Sequence, residues 1–447
     1  MDSIYAKQAR IADEIFQNAL NWMKPANRIR EWVRLEGNRL TVGEQSFELG
    51  PKRRVRVVGA GKATQGMARA LEQEIGKYLA DGLIIVPRGT ATQKRKGIIQ
   101  EFEADHPLPT RDSLAAGYEL IKFAERIPKN DIVLFALSGG ASSLLEVPAT
   151  PLEIEDISEA YDLLIRSGAD IHQINTVRKH LSSVKGGKLL SYLPVDNLID
   201  LVVSDVPDDR LESIGSGPTI PDTTTYTDAF HILKNFKLWD RISHDIRKHI
   251  AKGMHGEISR KPKPETRTPF RHKSYIIASA SKLSEKVEEL AGQAGYNVYR
   301  NEEAYSAGVR EIARKITGKA ISILSRNDPV AKPAALVYYG ESTVHVKGDG
   351  LGGRNQELAL SACLSIEGQH HITLLSGGTD GRDGPTDAAG AICNAQTALE
   401  ARRHNIEPET YLQNNDSYHF FEKMSGLLKT GPTGNNLMDL QIVLIEK

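Results

Sequence analysis

The amino-acid sequence predicts an α/β fold arranged in two domains. Short β-branched runs alternate with longer amphipathic segments, which is the pattern of a parallel sheet whose strands are connected by helices. The length of 447 residues exceeds one ordinary core and favours more than one domain. A basic, proline-rich stretch predicts a linker at residues 256–273. We therefore expect a larger N-terminal domain over residues 1–255 and a smaller C-terminal domain over residues 274–447.

The predicted strands are short and rich in valine, isoleucine and leucine, and apolar residues recur at helical spacing in the segments between them. The expected strands cover residues 55–58, 82–86, 132–137, 198–203, 274–278, 334–339, 372–375 and 441–445. The expected helices cover residues 63–78, 112–126, 151–167, 171–193 and 357–365, together with one that begins at Ser281 as its N-cap.

Composition excludes several classes of protein. Lys plus Arg and Asp plus Glu number 57 each, so a net charge of zero gives no general attraction to nucleic acid or to an anionic membrane. The two cysteines, Cys363 and Cys393, lack the spacing of a metal site or a disulfide framework, and we expect both to be buried apolar residues. The N-terminal segment lacks the apolar core of a signal peptide, and no stretch approaches the roughly 18 apolar residues of a membrane span. We expect a soluble, cytoplasmic protein.

The first glycine-rich turn follows the strand at 55–58. Its glycines, Gly59 and Gly61, would let backbone N–H groups approach an anion, and Lys62 in the first helical turn would suit a phosphate or a carboxylate. The turn is not a P-loop, because Arg56 stands where the first glycine of that motif belongs. It is not a dinucleotide fingerprint either, because Thr64 replaces the third glycine. A tight strand–helix turn with a solvated lysine is the alternative interpretation.

A second turn, at residues 138–143, combines two glycines with three hydroxyl groups after a strand. This composition predicts a nest for phosphate oxygens, and a capped turn is the alternative. Its members are Ser138, Gly139, Gly140, Ser142 and Ser143.

Two basic residues on the helix predicted at 171–193 form a further candidate anion site. Arg178 and Lys185 are seven residues apart and would share one helix face, where they could bind a polyphosphate. A solvated basic face explains the same pattern.

Acidic residues at strand ends suggest magnesium chemistry. Asp205 follows the apolar strand at 198–203, which is a common position for a magnesium ligand or a base, although it could only cap the next turn. Residues 376–387 carry three aspartates and four glycines directly after a strand, and Asp380 and Asp383 are the candidate ligands. Arg354 follows two glycines at a helix start, where it could bind a carboxylate or a phosphate. Together these groups are what phosphoryl transfer requires.

A series of short motifs extends over nearly the whole chain. It comprises Gly-Ala-Gly-Lys-Ala at 59–63, Asp-His-Pro-Leu-Pro at 105–109, Ser-Gly-Gly-Ala-Ser at 138–142, Asn-Thr-Val-Arg at 175–178, Ser-Asp-Val at 204–206, Gly-Pro-Thr at 217–219, Gly-Arg-Asn-Gln-Glu at 353–357, Thr-Asp-Gly at 379–381 and Gly-Pro-Thr-Asp-Ala-Ala-Gly at 384–390. This series resembles the glycerate 2-kinase family, whose members join an N-terminal Rossmann-like domain to a smaller C-terminal α/β domain called MOFRL.

The resemblance implies ATP- and Mg²⁺-dependent phosphorylation of D-glycerate at its 2-hydroxyl, giving 2-phosphoglycerate and ADP. It implies that Lys62 and Arg354, from opposite halves of the chain, are catalytic. On this basis we expect Asp205 or Asp380 to bind Mg²⁺, with Asp383 as a further candidate ligand and a neighbouring aspartate orienting the hydroxyl. The residues expected to cradle the nucleotide phosphates are Gly59, Gly61, Ser138, Gly139, Gly140, Ser142, Ser143, Arg178 and Lys185.

Two other functions stay open at this point. One is an NAD(P)H-dependent hydroxypyruvate reductase, which the missing third glycine and the absence of an acidic residue after the second strand argue against. The other is a catalytically silent ligand-binding protein on the same scaffold, which the presence of Lys62, Arg354, Asp205 and Asp380 argues against. The oligomeric state is open, and a homodimer is one possibility.

Overall fold

The computed structural model describes residues 4–91, 97–258, 270–434 and 436–446. Two compact units are present. The N-terminal unit covers Pro25–Ile277, and the C-terminal unit combines the residues up to Lys24 with those from Ala278 onward. Most of the predicted linker, residues 259–269, lies outside the described residues.

Every predicted strand lies inside an observed strand, which confirms the α/β class. The strands are β1 Val33–Glu36, β2 Arg39–Val42, β3 Gln45–Glu48, β4 Val55–Ala60, β5 Leu79–Pro87, β6 Ile99–Ala104, β7 Ile132–Ser138, β8 Asn197–Val203, β9 Arg271–Ala278, β10 Asn297–Arg300, β11 Tyr305–Gly308, β12 Ala334–Thr343, β13 Ile372–Gly378, β14 Gly390–Asn394, β15 Leu427–Leu428 and β16 Asp439–Ile445. The helices are α1 Ile4–Met23, α2 Pro25–Trp32, α3 Thr64–Ile75, α4 Arg111–Glu125, α5 Ala141–Leu144, α6 Ile154–Arg166, α7 Ile171–Leu181, α8 Tyr226–Asn235, α9 His244–Met254, α10 Ala280–Gln293, α11 Val309–Arg326, α12 Arg354–Ser365, α13 Thr397–Arg403, α14 Pro408–Gln413 and α15 Ser417–Lys423.

The N-terminal unit is built on a six-stranded sheet with the order β6-β5-β4-β7-β8-β9. The pairs from β6 to β8 are parallel. Val58 and Phe135 pack into a core that includes α4, and the alternate residues Val57 and Leu134 are equally buried. Burial of both faces explains why these strands appear in the sequence as continuous apolar runs.

The predicted boundary at residue 274 falls inside β9, which joins the sheet of the N-terminal unit. A buried carboxylate helps to hold β9 there, since Asp200 on β8 accepts hydrogen bonds from Ser274 and pairs with His272, both at 2.7 Å. The sequence identifies β9 as a strand but not the sheet that it joins, because strand pairing is a non-local choice.

The C-terminal unit has a mixed sheet with the order β10-β12-β16-β13-β14-β15, and β11 also pairs with β12. The last strand, β16, lies between β12 and β13 and is antiparallel to both. Helix α1 packs against this sheet, where the buried Gln8 amide donates to the carbonyl of His371 at 3.1 Å and accepts from Thr373 at 2.8 Å. The first helix of the chain therefore groups with the C-terminal unit, a contact that no local pattern could indicate.

Both cysteines lie in the core of the C-terminal unit, as predicted. Of the helices that the structure describes, none combines the length and apolar character needed to cross a bilayer.

Most helix ends differ from the predictions by one to three residues, and two of the differences have a clear structural cause. Helix α10 is capped by Ser279, whose hydroxyl accepts from the N–H of Lys282, rather than by Ser281. Helix α7 ends at Leu181, twelve residues before the predicted end at 193. The amphipathic pattern continues beyond Leu181 because the following loop and a short 3₁₀ turn also bury apolar residues.

Candidate active site

The candidate site of the N-terminal unit lies at the carboxyl ends of β4, β7 and β8. In the order β6-β5-β4-β7-β8 the chain moves outward from the β4–β7 pair in both directions. Open α/β sheets bind ligands in the crevice at such a reversal. Both predicted glycine-rich turns follow these two central strands, and Asp205 follows β8.

The turn after β4 does not provide an anion nest. The N–H of Lys62 donates to the carbonyl of Gly139 at 2.9 Å, the N–H of Ala63 donates to Ser138 Oγ at 2.9 Å, and the N–H of Gly61 donates to Ile85. Gly61 has a φ of +137°, and a side chain there would approach Ser138 Oγ to 2.2 Å. The predicted phosphate-binding role of Gly59 and Gly61 is therefore corrected, because these glycines allow β4 and β7 to pack closely.

At Gly59 the crowding has the same origin, since a Cβ atom would lie 2.5 Å from the carbonyl oxygen of Ala136 on β7. Ser138 and Ser143 are also occupied within the protein, because Ser138 Oγ accepts from Ala63 and Ser143 Oγ donates to the carbonyl of Gly140. These two hydroxyl groups act as turn caps, the alternative interpretation of the second motif. Ser142 is half-buried and hydrogen-bonds to Ser216 at 2.8 Å.

The second turn brings together groups that lie far apart in sequence. A Cβ atom at Gly139 would lie 1.9 Å from Asp205 Oδ2, so the Asp205 carboxylate occupies the space beside this glycine. Gly140 has a φ of +84°, and a Cβ atom there would lie 3.2 Å from both Lys62 and His106. Glycine is needed at both positions, and the predicted residues Lys62 and Asp205 both reach this edge of the sheet.

His106 is a site residue that the sequence prediction omitted, although its Asp-His-Pro motif was one of those that carry the family resemblance. Burial, together with the positive charges of Lys62 and Arg178, lowers the pKa of His106 to about 4. The imidazole is therefore neutral at physiological pH. Its loop is anchored by the preceding Asp105, which accepts from Arg88 at 2.7 Å and from Thr110 at 2.6 Å. The hydrogen bond from Arg88 lowers the pKa of Asp105 to about 2.

Arg178 is buried yet keeps an unused donor. Its side chain is 7% exposed and its guanidinium stacks 4.8 Å from the ring centre of Tyr161. Nε has no hydrogen-bond partner among the residues that the structure describes. Burial lowers the pKa of Arg178, although a guanidinium stays charged in proteins. A buried arginine with a spare donor is a strong candidate for binding an anion.

Lys185 does not share a helix face with Arg178, because α7 ends at Leu181 and Lys185 lies in the loop that follows. Its ammonium group is fully buried, donating to Glu146 at 2.7 Å and to the carbonyl of Leu145 at 2.9 Å. The prediction that Lys185 binds the nucleotide is corrected, since the lysine belongs to a buried ion pair with no exposed surface.

The candidate site of the C-terminal unit is centred on Arg354, the first residue of α12. Arg354 Nε lies 2.7 Å and Nη2 lies 3.0 Å from the two carboxylate oxygens of Asp439, which starts β16. Glu341, which is exposed, accepts from Nη2 at 3.2 Å. Burial raises the pKa of Asp439 to about 7 although Arg354 opposes the shift. Asp439 is a perturbed carboxylate that the sequence prediction missed, because nothing local marks it as buried or as a partner of Arg354.

The two predicted aspartates of the loop after β13 differ in their surroundings. Asp383 is buried and caps α12, accepting from the N–H of Asn355 at 3.1 Å and from the N–H of Gln356 at 2.8 Å. Asp383 is 2% exposed and both of its oxygens accept backbone hydrogen bonds, so the structure disfavours its predicted role as a metal ligand. Asp380 is exposed in a cleft of about 540 Å³ that Arg354 also lines. No cluster of three or more His, Cys, Asp or Glu side chains suited to a metal occurs in the described part of the chain.

The N-terminal unit has the fold of an open α/β protein, and cationic side chains gather at the carboxyl edge of its sheet. Residues 11–251 match a family model described as a domain of unknown function, DUF4147, and residues 334–439 match the MOFRL family. The chain is 39% identical to a D-glycerate 2-kinase of Thermotoga maritima over 395 residues, 88% of this chain and 91% of the relative. A relative from Agrobacterium vitis, 34% identical over 88% of each chain, carries a provisional hydroxypyruvate reductase name.

A crystal structure of glycerate kinase from Thermotoga maritima superimposes with a TM-score of 0.84 at 35% identity, covering 98% of this chain and 99% of that one. The aligned residues include both matched domains. The chain belongs to the glycerate kinase family.

Proposed function

We propose that this protein is a glycerate 2-kinase, which transfers the γ-phosphoryl group of ATP to the 2-hydroxyl of D-glycerate and forms 2-phosphoglycerate and ADP. The observation that carries the proposal is the cation cluster at the carboxyl edge of the sheet, where Lys62 and Arg178 lie near a neutral His106. Glycerate and ATP are both anions, and in a half-buried site such charges are screened less than in water. Family membership supports the choice of acceptor.

Phosphoryl transfer needs positioned charge more than covalent participation by the protein. We assign Lys62, which is exposed at the turn, to the negative charge on the transferring phosphoryl group. We assign the guanidinium of Arg178, which is buried and not fully satisfied within the protein, to a substrate carboxylate or phosphate oxygen. The ion pair with Asp439 fixes the orientation of the Arg354 guanidinium. A guanidinium with a fixed orientation is suited to stabilising charge that develops during the reaction.

Mg²⁺ in kinases takes only one or two protein carboxylates and completes its shell with water and substrate phosphates. Asp205, half-buried at the end of β8, and Asp380, exposed in its cleft, both fit such a partial ligand set. Asp383 does not fit, because its oxygens cap α12. When bound, Mg²⁺ would neutralise phosphate charge. Asp205 and Asp380 are also the candidates for orienting the acceptor hydroxyl.

A nicotinamide-dependent reductase is disfavoured by two observations. The three N–H groups of the turn after β4 all donate within the protein, so no backbone cradle for a pyrophosphate is open there. Arg88, which follows β5 where a ribose-binding acid would be required, is paired with Asp105 and Asp112. A cytoplasmic location and a homodimer stay predictions.

The test is a product assay with D-glycerate, ATP and Mg²⁺, in which phosphorus NMR identifies the product. We expect 2-phosphoglycerate from the wild-type chain. Lys62→Ala and Arg354→Ala should each lower kcat by about 10²–10³-fold, the usual effect of removing a group that stabilises transition-state charge. Lys77→Ala is the matched control, because this exposed lysine lies directly before β5, at the amino ends of the parallel strands and away from the candidate site. Its loss should leave activity unchanged.

Each other outcome has a separate meaning. Formation of 3-phosphoglycerate would keep the enzyme class and overturn the regiochemistry. Consumption of NADH on hydroxypyruvate without ATP turnover would make the protein a reductase. Absence of both activities would favour a silent binding protein or a different substrate.

A further inference from the structure

A buried chain of hydrogen bonds determines the direction of the Ser142 hydroxyl. The chain begins at Asn175, which is 1% exposed and whose Nδ2 donates to the carbonyl of Ser213 at 3.0 Å. The reverse amide orientation would place Asn175 Oδ1 against that carbonyl oxygen, so that two acceptors would face each other. Oδ1 of Asn175 is therefore directed at Ser216.

The next link follows from the single hydrogen of a hydroxyl group. Ser216, fully buried, donates that hydrogen to Asn175 Oδ1 at 2.9 Å. In the 2.8 Å contact between Ser216 and Ser142, Ser142 must then be the donor. Ser142 is half-buried, and with its own hydrogen used it can offer a ligand only lone pairs.

We propose that Ser142 Oγ accepts a hydrogen bond from the glycerate hydroxyl that does not react, and thereby selects glycerate over monohydroxy acids. This inference rests on the proposed glycerate 2-kinase function. Phosphate and carboxylate oxygens are acceptors and cannot pair with a serine that offers only lone pairs, so Ser142 is not assigned to the nucleotide phosphates.

The reacting hydroxyl is a poor match for Ser142 as well. That hydroxyl must lose its proton during transfer, and the chain from Ser142 through Ser216 ends at the Asn175 amide, which does not take up protons. The 3-hydroxyl of glycerate keeps its proton throughout the reaction and needs only an acceptor. In this scheme Asn175 and Ser216 are positioning residues that act through Ser142.

The experiment compares D-glycerate with D-lactate, which has the same 2-hydroxyl and lacks the 3-hydroxyl. D-lactate is measured as a substrate and, through competition with D-glycerate, as an inhibitor. Ser142→Ala should lower kcat/KM for D-glycerate by about tenfold, the factor that one hydrogen bond of ordinary strength provides. In Ser142→Ala, the kcat/KM and the inhibition constant for D-lactate and the KM for ATP should change by less than about twofold, within the scatter of a neutral substitution.

Ser143→Ala is the matched control, because the Ser143 hydroxyl donates to the Gly140 carbonyl within the turn and its loss should not alter the glycerate-to-lactate ratio. Ser216→Ala retains Ser142 but removes the acceptor of the Ser142 hydrogen, so the Ser142 hydroxyl is no longer held in its orientation. This variant should therefore also lower the glycerate-to-lactate ratio of kcat/KM. A purely structural role for Ser216 would instead reduce both substrates alike.

Equal losses with both substrates in Ser142→Ala would overturn the inference and assign Ser142 to the reacting hydroxyl or to the framework. A rise confined to the KM for ATP would overturn it in favour of phosphate binding, and unchanged kinetic values with both substrates would overturn it outright. These results all require turnover of D-glycerate by the wild-type chain. Absence of that turnover would instead refute the proposed function, and the inference with it.

Discussion

Replacement of Asp439 by asparagine tests whether a buried carboxylate orients Arg354. Asp439 is 1% exposed, and its two oxygens lie 2.7 and 3.0 Å from Arg354 Nε and Nη2. Asparagine keeps the shape of the side chain and one acceptor, but removes the charge. The guanidinium would then be held mainly by Glu341, which is exposed and therefore a weak partner.

The size of the effect follows from the contacts that are lost. Asp439 makes two contacts with Arg354, and asparagine keeps an acceptor for only one of them. A hydrogen bond between charged groups contributes about 1.5–3 kcal/mol, which is the loss expected for the other contact. A net loss of about 1.5–3 kcal/mol in transition-state stabilisation corresponds to a fall of about 10- to 100-fold in kcat/KM. Glu341→Gln is the control, and the loss of its exposed pair should cost less than about 1 kcal/mol, or about fivefold.

The pKa of Asp439 makes the same variant testable by pH. Burial raises this pKa to about 7 and Arg354 opposes the rise, so Asp439 loses its charge as the pH falls through 7. Wild-type kcat/KM should therefore decrease on the acid side of pH 7. Asp439→Asn should lack this limb and stay low across the range, whereas Glu341→Gln should retain it.

Stability should show the opposite trend in the same pH window. A carboxyl whose folded pKa of about 7 exceeds its unfolded value of 3.8 makes the folded state bind a proton between these values, so folding stability falls as pH rises from 4 to 7. The difference corresponds to about 4 kcal/mol at most. Asp439→Asn should flatten the pH dependence of the thermal midpoint, measured beside near-UV circular dichroism as a check on folding. An unaltered acid limb together with an unaltered stability profile would refute the role of Asp439.

Two further predictions concern buried charges in the N-terminal unit. Lys185→Met should lower the free energy of unfolding, measured by denaturant titration, by about 3–5 kcal/mol, because Glu146 would keep an unpaired charge with no exposed surface. Adding Glu146→Gln to this variant should restore most of the lost stability. A decrease of less than about 1 kcal/mol in Lys185→Met would contradict the prediction. Burial lowers the pKa of His272, but Asp200 at 2.7 Å outweighs burial, so the net shift of this pKa is upward. The pair should therefore stabilise the protein fully below pH 6.5, the pKa of histidine in the unfolded chain. This contribution should be lost as pH rises through the folded pKa. Asp200→Asn should remove this trend in thermal midpoints, and an identical trend in the variant would exclude the pair as its source.

The sequence was sufficient to locate the strands and the turns at their ends. Strands β4 and β7 are continuous apolar runs, and glycines mark the turns that follow them, so the positions of Lys62 and Ser142 could be predicted from local pattern. The same holds for Asp205, because the end of an apolar strand in a parallel sheet is a position that the chain itself specifies.

Local pattern could not show which polar groups are already occupied. Gly61 and Asp383 are of the residue types that bind phosphate and metal, yet one packs two strands together and the other caps a helix. Lys185 has the positive charge that would suit phosphate binding, but it is paired with the buried carboxylate of Glu146. In each case the partners lie at least 24 residues away in sequence.

By itself, the sequence determined the α/β class, the family, and the strand ends where chemistry can occur, because periodicity, glycine and the order of short motifs are properties of neighbouring residues. Tertiary structure alone decided that His106 joins Lys62, that Asp439 holds Arg354, and that β9 and α1 belong to the units they join. The physical reason is that hydrogen bonding and burial are settled between distant segments, and a donor or carboxylate is available to a ligand only if folding has not already given it a partner.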